Sequence, residues 1–169
     1  MSPRVLNPVD YLWTPWRYRY VSQSAPLGEC VFCAAAHANE DRETLIVHRD
    51  VRNFVILNRF PYTNGHIMIV PFEHVATLED LPDETLKEMM LLARESERHL
   101  RRVYQPDGMN LGMNLGRSAG AGIAGHVHMH VLPRWAGDTN FMSVIGETRV
   151  LPEDLAVTWE KLRQAFAAK

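Results

Sequence analysis

The sequence is poor in the features that mark secreted, membrane and nucleic-acid-binding proteins. Its 169 residues include only two cysteines, too few for the disulfide framework of a small secreted domain. No apolar run approaches the roughly 20 residues that a membrane span needs, and the N-terminus lacks a signal-peptide core. The formal net charge of −2 provides no basic surface for a nucleic-acid backbone. We therefore expect a cytoplasmic protein that binds neither membranes nor nucleic acid.

The remaining composition, 46% hydrophobic and 22% charged, is that of an ordinary globular protein with one real core. Residues 1–28 are rich in proline and aromatic side chains, which predicts an arm that packs on the body or on a partner. Residues 29–141 carry the alternating and helical patterns of a folded domain. Residues 142–169 form a C-terminal segment with a helix expected at 152–167.

Short runs of β-branched and apolar residues predict five strands, at 45–49, 52–58, 66–71, 108–115 and 126–132. One long helix is expected, with Asp83 or the residue before it as its cap. It should end before Pro106 and Gly108. Apolar residues recur along it at helical spacing. Antiparallel strands with one long intervening helix favour an α+β domain.

The most informative run is G-H-V-H-M-H-V-L-P, in which His126, His128 and His130 alternate with apolar residues. This period of two predicts a strand with one buried face and three imidazoles in a row about 13 Å long on the other. Imidazole can act as a nucleophile, a proton carrier or a metal ligand near neutral pH. The alternative is a solvated face that happens to be rich in histidine.

A glycine-rich loop, G-R-S-A-G-A-G-I-A-G, precedes the histidines. It contains a formal dinucleotide-binding fingerprint, which we reject because a strand pattern follows where that fingerprint requires a helix. Bare glycine backbone can instead approach a phosphate closely, and Ser118 adds a hydroxyl donor. A merely flexible hairpin loop is the alternative.

Cys30 and Cys33 form a C-x-x-C pair, half of a tetrahedral metal site. Spacing alone leaves the other two ligands open among the histidines His37, His48, His74 and His126. A redox pair is the competing interpretation, but no helix-forming context surrounds the cysteines, so we favour metal. Asn58 and His66 flank a Pro–Gly turn, where they could bind a ligand or serve ordinary turn chemistry.

The run from His126 to Leu132 resembles the His-φ-His-φ-His-φ-φ motif of the histidine-triad (HIT) superfamily, where φ is apolar. N-R-F-P-Y-T-N-G-H-I-M-I-V-P is similar to the nucleoside-binding segment of that family, and N-L-G-R-S-A-G-A-G to its phosphate loop. W-T-P-W-R and P-R-W-A-G-D-T-N-F resemble its bacterial branch, which includes diadenosine tetraphosphate phosphorylases and Fhit-like dinucleoside polyphosphate hydrolases. The resemblance implies a HIT-like antiparallel sheet of about five strands with a long helix and a C-terminal helix.

The same resemblance implies an enzyme that transfers a nucleoside monophosphate, from a dinucleoside polyphosphate to water or phosphate, through a covalent nucleotidyl-histidine. His128 would be the nucleophile, and His126 and His130 would complete the catalytic triad. The implied nucleotide-binding residues are Asn58, His66, Asn114, Gly116, Ser118, Gly120 and Gly122. A homodimer and no organic cofactor are expected.

The resemblance also implies a structural zinc ion held by Cys30, Cys33, His74 and His126. Hydrolases of the family usually have glutamine where this chain has Gly122, and that departure favours phosphate as the acceptor. Other functions left open are an adenosine 5′-monophosphoramidase, a non-catalytic nucleotide-binding regulator and a zinc-dependent nucleic-acid module.

Overall fold

The computed structural model describes residues 30–138 and 153–168. The predicted N-terminal arm, residues 1–28, and the junction at residue 142 lie outside these ranges, so the predicted domain boundaries stay a prediction. Within the described ranges, none of the helices combines the length and apolar character that crossing a bilayer requires.

Four helices and five strands follow one another along the described chain. In chain order they are α1 (Val31–His37), α2 (Asp41–Thr44), β1 (Ile46–Arg49), β2 (Asn53–Leu57), β3 (Ile67–Pro71), α3 (Asp83–Tyr104), β4 (Gly108–Met113), β5 (Met129–Arg134) and α4 (Leu155–Ala167). The strands form one antiparallel sheet in the order β1-β2-β3-β5-β4. The predicted α+β class, the five strands, the long helix and the C-terminal helix are confirmed.

The central strands are buried on both faces, which is why they read as continuous apolar runs rather than as alternating ones. Along β2, Val55 and Leu57 belong to the larger core under α3 and α4, whereas Phe54 and Ile56 belong to a smaller core on the opposite face. The smaller core includes Phe32 of α1. The sheet therefore has two covered faces, and α1 lies on the second one.

The seven-residue helix α1 is fixed by an arginine from β1. The Arg49 guanidinium donates hydrogen bonds to the carbonyl oxygens of Ala35, Ala36 and Ala38 at 3.3, 2.8 and 3.0 Å, and to Asp41 at 2.9 Å. The last carbonyls of a helix have no partner within it, and a cation there also complements the helix dipole. A helix too short to be stable alone is thereby held against the sheet.

The C-terminal helix α4 covers the β1 edge of the sheet. Trp159 Nε1 donates to the Ile46 carbonyl at 2.8 Å, and Arg163 donates to the Val47 carbonyl at 3.0 Å. The strand register shifts between Ile46 and His48, which leaves these carbonyls for side chains to bind. At the other edge, β4 pairs only with β5 among the described residues.

Helix α3 begins at Asp83, and its cap is the residue before Asp83, one of the two predicted positions, but it is not a side-chain cap. The cap position is Pro82, and no side-chain hydrogen bond caps the helix. Proline has no side-chain oxygen that could accept the first N–H groups. Asp83 and Glu84 in the first turn instead place negative charge at the positive end of the helix dipole.

Candidate functional site

The three alternating histidines lie on one face, as predicted, but strand β5 begins only at Met129. The segment before Met129 is not part of the sheet. There the Val127 N–H donates a hydrogen bond to the Val75 carbonyl at 2.7 Å. The intervening apolar side chains enter the larger core. His126 and His128 are 1% and 4% exposed, so the alternative of a solvated histidine face is wrong.

Backbone carbonyls determine which ring nitrogens of the first two histidines carry hydrogen. His128 Nδ1 lies 2.8 Å from the His126 carbonyl oxygen, and His126 Nε2 lies 2.9 Å from the Pro71 carbonyl oxygen. A carbonyl can only accept, so each of these nitrogens is the donor. In the neutral rings His128 Nε2 and His126 Nδ1 therefore keep their lone pairs. The first can attack an electrophile, and the second can bind a metal.

The third histidine is oriented through a fourth. The Tyr62 backbone N–H donates to His66 Nδ1 at 3.1 Å, and His66 Nε2 lies 2.9 Å from His130 Nδ1. Because the backbone N–H can only donate, His66 Nδ1 accepts and His66 Nε2 carries the hydrogen. His130 Nδ1 then accepts in turn, which leaves His130 Nε2–H as a donor. This chain of hydrogen bonds makes His130 an anion-binding side chain even when it is neutral.

Burial keeps all three rings neutral. Loss of solvation lowers the pKa of His126 and of His128 below the ordinary histidine value. Burial, followed by the nearby His128, lowers the pKa of His130 to about 4. The ring centroids of His128 and His130 are 4.9 Å apart. A neutral imidazole is the nucleophilic form, so the site is set for attack at neutral pH.

The histidines open onto a cavity of about 690 Å³ on the α1 face of the sheet, a size typical of small-molecule sites. Six of the predicted residues line it: Asn58, Asn114, Gly120, Gly122, His128 and His130. Its inner wall is apolar and comes from α1, β2 and β3, with Phe32, Ala35, Ile56 and Met68. The cavity therefore combines an apolar pocket with a polar end that carries His128 and His130.

Three further candidates stand apart from the cavity wall. His66 is 1% exposed and lies behind His130. Gly116 and Ser118 are exposed on the glycine-rich loop, around the short 3-10 turn Arg117–Ala119. Gly116 has a φ of 78°, a conformation that suits glycine.

Cys30, Cys33, His74 and His126 come together beside the triad. Their ligand atoms all lie within 4.8 Å of one another. Sulfur-to-nitrogen distances are 3.3 Å from Cys30 to His126, 3.2 Å from Cys33 to His74 and 3.7 Å from Cys33 to His126. A tetrahedral ion with Zn–S and Zn–N bonds of ordinary length separates its ligand atoms by about 3.3–3.8 Å. The four side chains can therefore hold one metal ion.

The other candidate ligands lie elsewhere. The His48 ring stacks on Phe166 with centroids 5.1 Å apart, and His37 ends helix α1. The predicted lack of a helix-forming context around the cysteines is wrong, because Cys30 is the N-cap of α1 and Cys33 lies within it. The proximity of both histidines, rather than the absence of a helix, now favours metal over a redox pair.

Phe32 lies at the candidate site although no sequence motif had singled it out. It stands between the two cysteines, and its ring contacts those of His126 and His128 at centroid distances of 5.4 and 5.0 Å. It is 2% exposed and also lines the cavity. The sequence signal that could have identified Phe32 was its position between the two cysteines. A residue there must lie close to the metal-binding side chains.

Residues 39–137 match the model of the HIT domain. Over 164 residues the chain is 39% identical to the AP-4-A phosphorylase of Mycobacterium tuberculosis, covering 92% of this chain and 84% of the relative. A Zn-bound histidine triad family protein from Mycobacterium smegmatis has the same fold, with a TM-score of 0.65, 31% identity, and coverage of 82% of this chain and 94% of that one.

A diadenosine triphosphate hydrolase from Plasmodium falciparum shares the fold at a TM-score of 0.58 and 17% identity, covering 73% of this chain and 74% of that one. The family predicted from the alternating histidines is thus confirmed on three grounds: a matching domain model, a related sequence and a common fold. The chain belongs to the HIT family.

Proposed function

We propose that this protein is a nucleotidyl transferase or hydrolase that cleaves dinucleoside polyphosphates of the diadenosine tetraphosphate type. The 39% identity to an AP-4-A phosphorylase over 92% of the chain supports the substrate class. The observation that carries the chemistry is the bond from His128 Nδ1 to the His126 carbonyl. It directs the lone pair of a buried, neutral imidazole away from the backbone at the polar end of the cavity.

In the first step, His128 Nε2 attacks the α-phosphorus of the substrate. A P–N bond forms, and the P–O bond to the departing nucleoside polyphosphate breaks with its electron pair on that oxygen. In the second step an oxygen of water or phosphate attacks the same phosphorus, and the P–N bond breaks. The covalent intermediate divides one displacement at a crowded anionic centre into two easier ones.

His130 stabilises the phosphoryl oxygens through Nε2–H, because its Nδ1 accepts from His66. Gly120 and Gly122 bring bare backbone to the cavity wall, where N–H groups can approach the same oxygens. We assign the ribose hydroxyls to Asn58, which lines the cavity and whose Oδ1 accepts from the Phe60 N–H at 2.9 Å. Asn114 supports the loop at the same end of the cavity.

Phosphate is the proposed acceptor. Gly122 lines the cavity where hydrolases of the resembling branch carry glutamine, so a side chain that would guide water is replaced by open space. Diadenosine tetraphosphate should be incubated with the protein in phosphate-containing and phosphate-free buffer. ADP plus ATP, formed only with phosphate, is the expected result. AMP plus ATP would mean hydrolysis, and release of AMP only from an aminophosphoryl ester would mean a phosphoramidase.

The metal is proposed to be zinc with a structural role. Two thiolates and two imidazoles are the ligand set that zinc prefers, and the M. smegmatis relative is described as Zn-bound. When bound, zinc supplies a tetrahedral crosslink between α1, the segment after β3 and the first triad histidine. Since His126 Nε2 donates to Pro71, the ring is already oriented to present Nδ1 to the ion.

A cytoplasmic location and a homodimer complete the proposal. Two cysteines are too few for the disulfide framework of a small secreted domain, which supports the location. Strand β4 has an open outer edge among the described residues, and Leu111 on it is 45% exposed. An open edge favours strand pairing with another chain. Sedimentation velocity should give twice the chain mass, and a single chain at micromolar concentration would contradict the dimer.

A further inference from the structure

The loop after β2 presents three exposed side chains at the cavity. Phe60 is 67% exposed, Tyr62 is 43% exposed, and Arg59 is also exposed. All three line the cavity. Neither aromatic ring belongs to the two core clusters. The Tyr62 ring packs against the His66 ring, with centroids 4.8 Å apart.

Hydrogen bonds fix the backbone that carries these rings. The Phe60 N–H donates to Asn58 Oδ1 at 2.9 Å, and the Tyr62 N–H donates to His66 Nδ1 at 3.1 Å. The Tyr62 ring lies 6.2 Å from the His130 ring at an interplanar angle of 24°. The backbone of both residues is therefore fixed before any ligand arrives, and the Tyr62 ring lies beside His130.

The cavity wall has a buried apolar part and an exposed aromatic part. The buried inner wall formed with Phe32 and Met68 provides an enclosed pocket for one nucleobase. With the scissile phosphate at His128, the rest of a dinucleoside polyphosphate extends away from that wall. Phe60 and Tyr62 lie in the exposed region, where a second base would arrive.

We propose that Phe60 and Tyr62 form a stacking site for the base of the departing nucleotide, with the Arg59 guanidinium beside the polyphosphate chain. This assignment rests on the proposed function, since only a dinucleoside substrate has a second base. Stacking on an aromatic face is tolerant of base identity, and an arginine adds charge attraction. The departing base is thus recognised loosely and the enclosed base closely.

Phe60→Ala tests the site with two substrates that differ only in the second nucleoside. Diadenosine tetraphosphate has it, and adenosine 5′-tetraphosphate does not. Loss of one base–aromatic stack lowers kcat/KM for the dinucleoside about tenfold, mainly through KM. The value for adenosine 5′-tetraphosphate stays within about twofold of the wild type. Phe60→Tyr retains both activities, and so does Val51→Ala, which removes an apolar side chain that is 80% exposed and not part of the cavity wall.

Equal losses with both substrates would overturn the stacking site, because Phe60 would then serve the enclosed nucleoside or the fold. Unchanged kinetics with diadenosine tetraphosphate would overturn it as well. Failure of the proposed function is a separate result: the wild-type protein would release AMP from an aminophosphoryl ester and leave both tetraphosphates intact.

Discussion

Removing His66 tests whether the hydrogen-bond chain that ends at His130 matters for catalysis. In His66→Leu, a side chain of similar volume replaces the imidazole at a position that is 1% exposed. The hydrogen bond from the Tyr62 N–H and the one to His130 Nδ1 disappear, together with the 3.4 Å contacts between Asn58 Nδ2 and the ring. His130 Nδ1 then faces hydrocarbon, and the ring proton can move to it. When the proton is on Nδ1, His130 Nε2 has no hydrogen to donate to the phosphate.

A buried acceptor left without a donor costs about 1–3 kcal/mol. If about 2 kcal/mol of this is lost in the transition state, kcat/KM falls roughly 30-fold. His66→Gln keeps an amide N–H within reach of His130, so it should recover part of that loss. The unpaired Tyr62 N–H lowers the free energy of unfolding by a similar amount, or about 4–8 °C in Tm for a chain of this length.

The assay compares kcat/KM for diadenosine tetraphosphate, Tm and the ¹⁵N chemical shifts of the His130 ring. The matched control is His99→Leu, since His99 is also buried, at 9% exposure, and contacts Phe166 rather than the cavity. It should lower Tm and leave kcat/KM unchanged. Wild-type kcat/KM in His66→Leu, or an equal loss of kcat/KM in the control, would refute the reasoning.

Three further predictions concern the nucleophile, the metal and pH. His128→Ala abolishes turnover and leaves the Kd for AMP, measured by calorimetry, within several-fold of the wild-type value. Turnover equal to wild type would contradict the role of His128 as nucleophile. Purified protein contains about one zinc per chain by elemental analysis, and Cys30→Ser loses it while His48→Gln keeps it; zinc retained in Cys30→Ser would exclude the proposed site. Because burial lowers the pKa of His130 to about 4, its neutral form persists well below the ordinary histidine pKa of 6.5. Burial also lowers the pKa of His128, the proposed nucleophile. The kcat/KM therefore shows no loss centred at the ordinary histidine pKa, and an acidic limb centred near 6.5 would contradict this.

Much of the site was predictable because chemistry-bearing residues were clustered in the sequence. The alternation around His128 gave both the strand and the shared histidine face, since period two is a local property of extended backbone. The C-x-x-C pair indicated a metal site, but spacing left four histidines as candidates. The fold brings two of them to the cysteines. His74 follows β3, and β3 pairs with β5, so His74 lies next to His126.

Other features could not be read from local patterns. The helix α1 is seven residues long and stands because Arg49, from a later strand, binds its last carbonyls. The assignment of hydrogen on His130 depends on His66, which lies 64 positions away in sequence. No periodic pattern in the sequence links Arg49 to helix α1 or His66 to His130.

The sequence by itself determined the family and the α+β class and predicted the nucleophile, because each depends on residue types at short, fixed spacings. The tertiary structure decided which histidines join the cysteines, which ring nitrogens carry hydrogen, and which aromatic rings face the cavity. Those properties come from distances of a few ångströms between distant segments, and only packing brings such segments together.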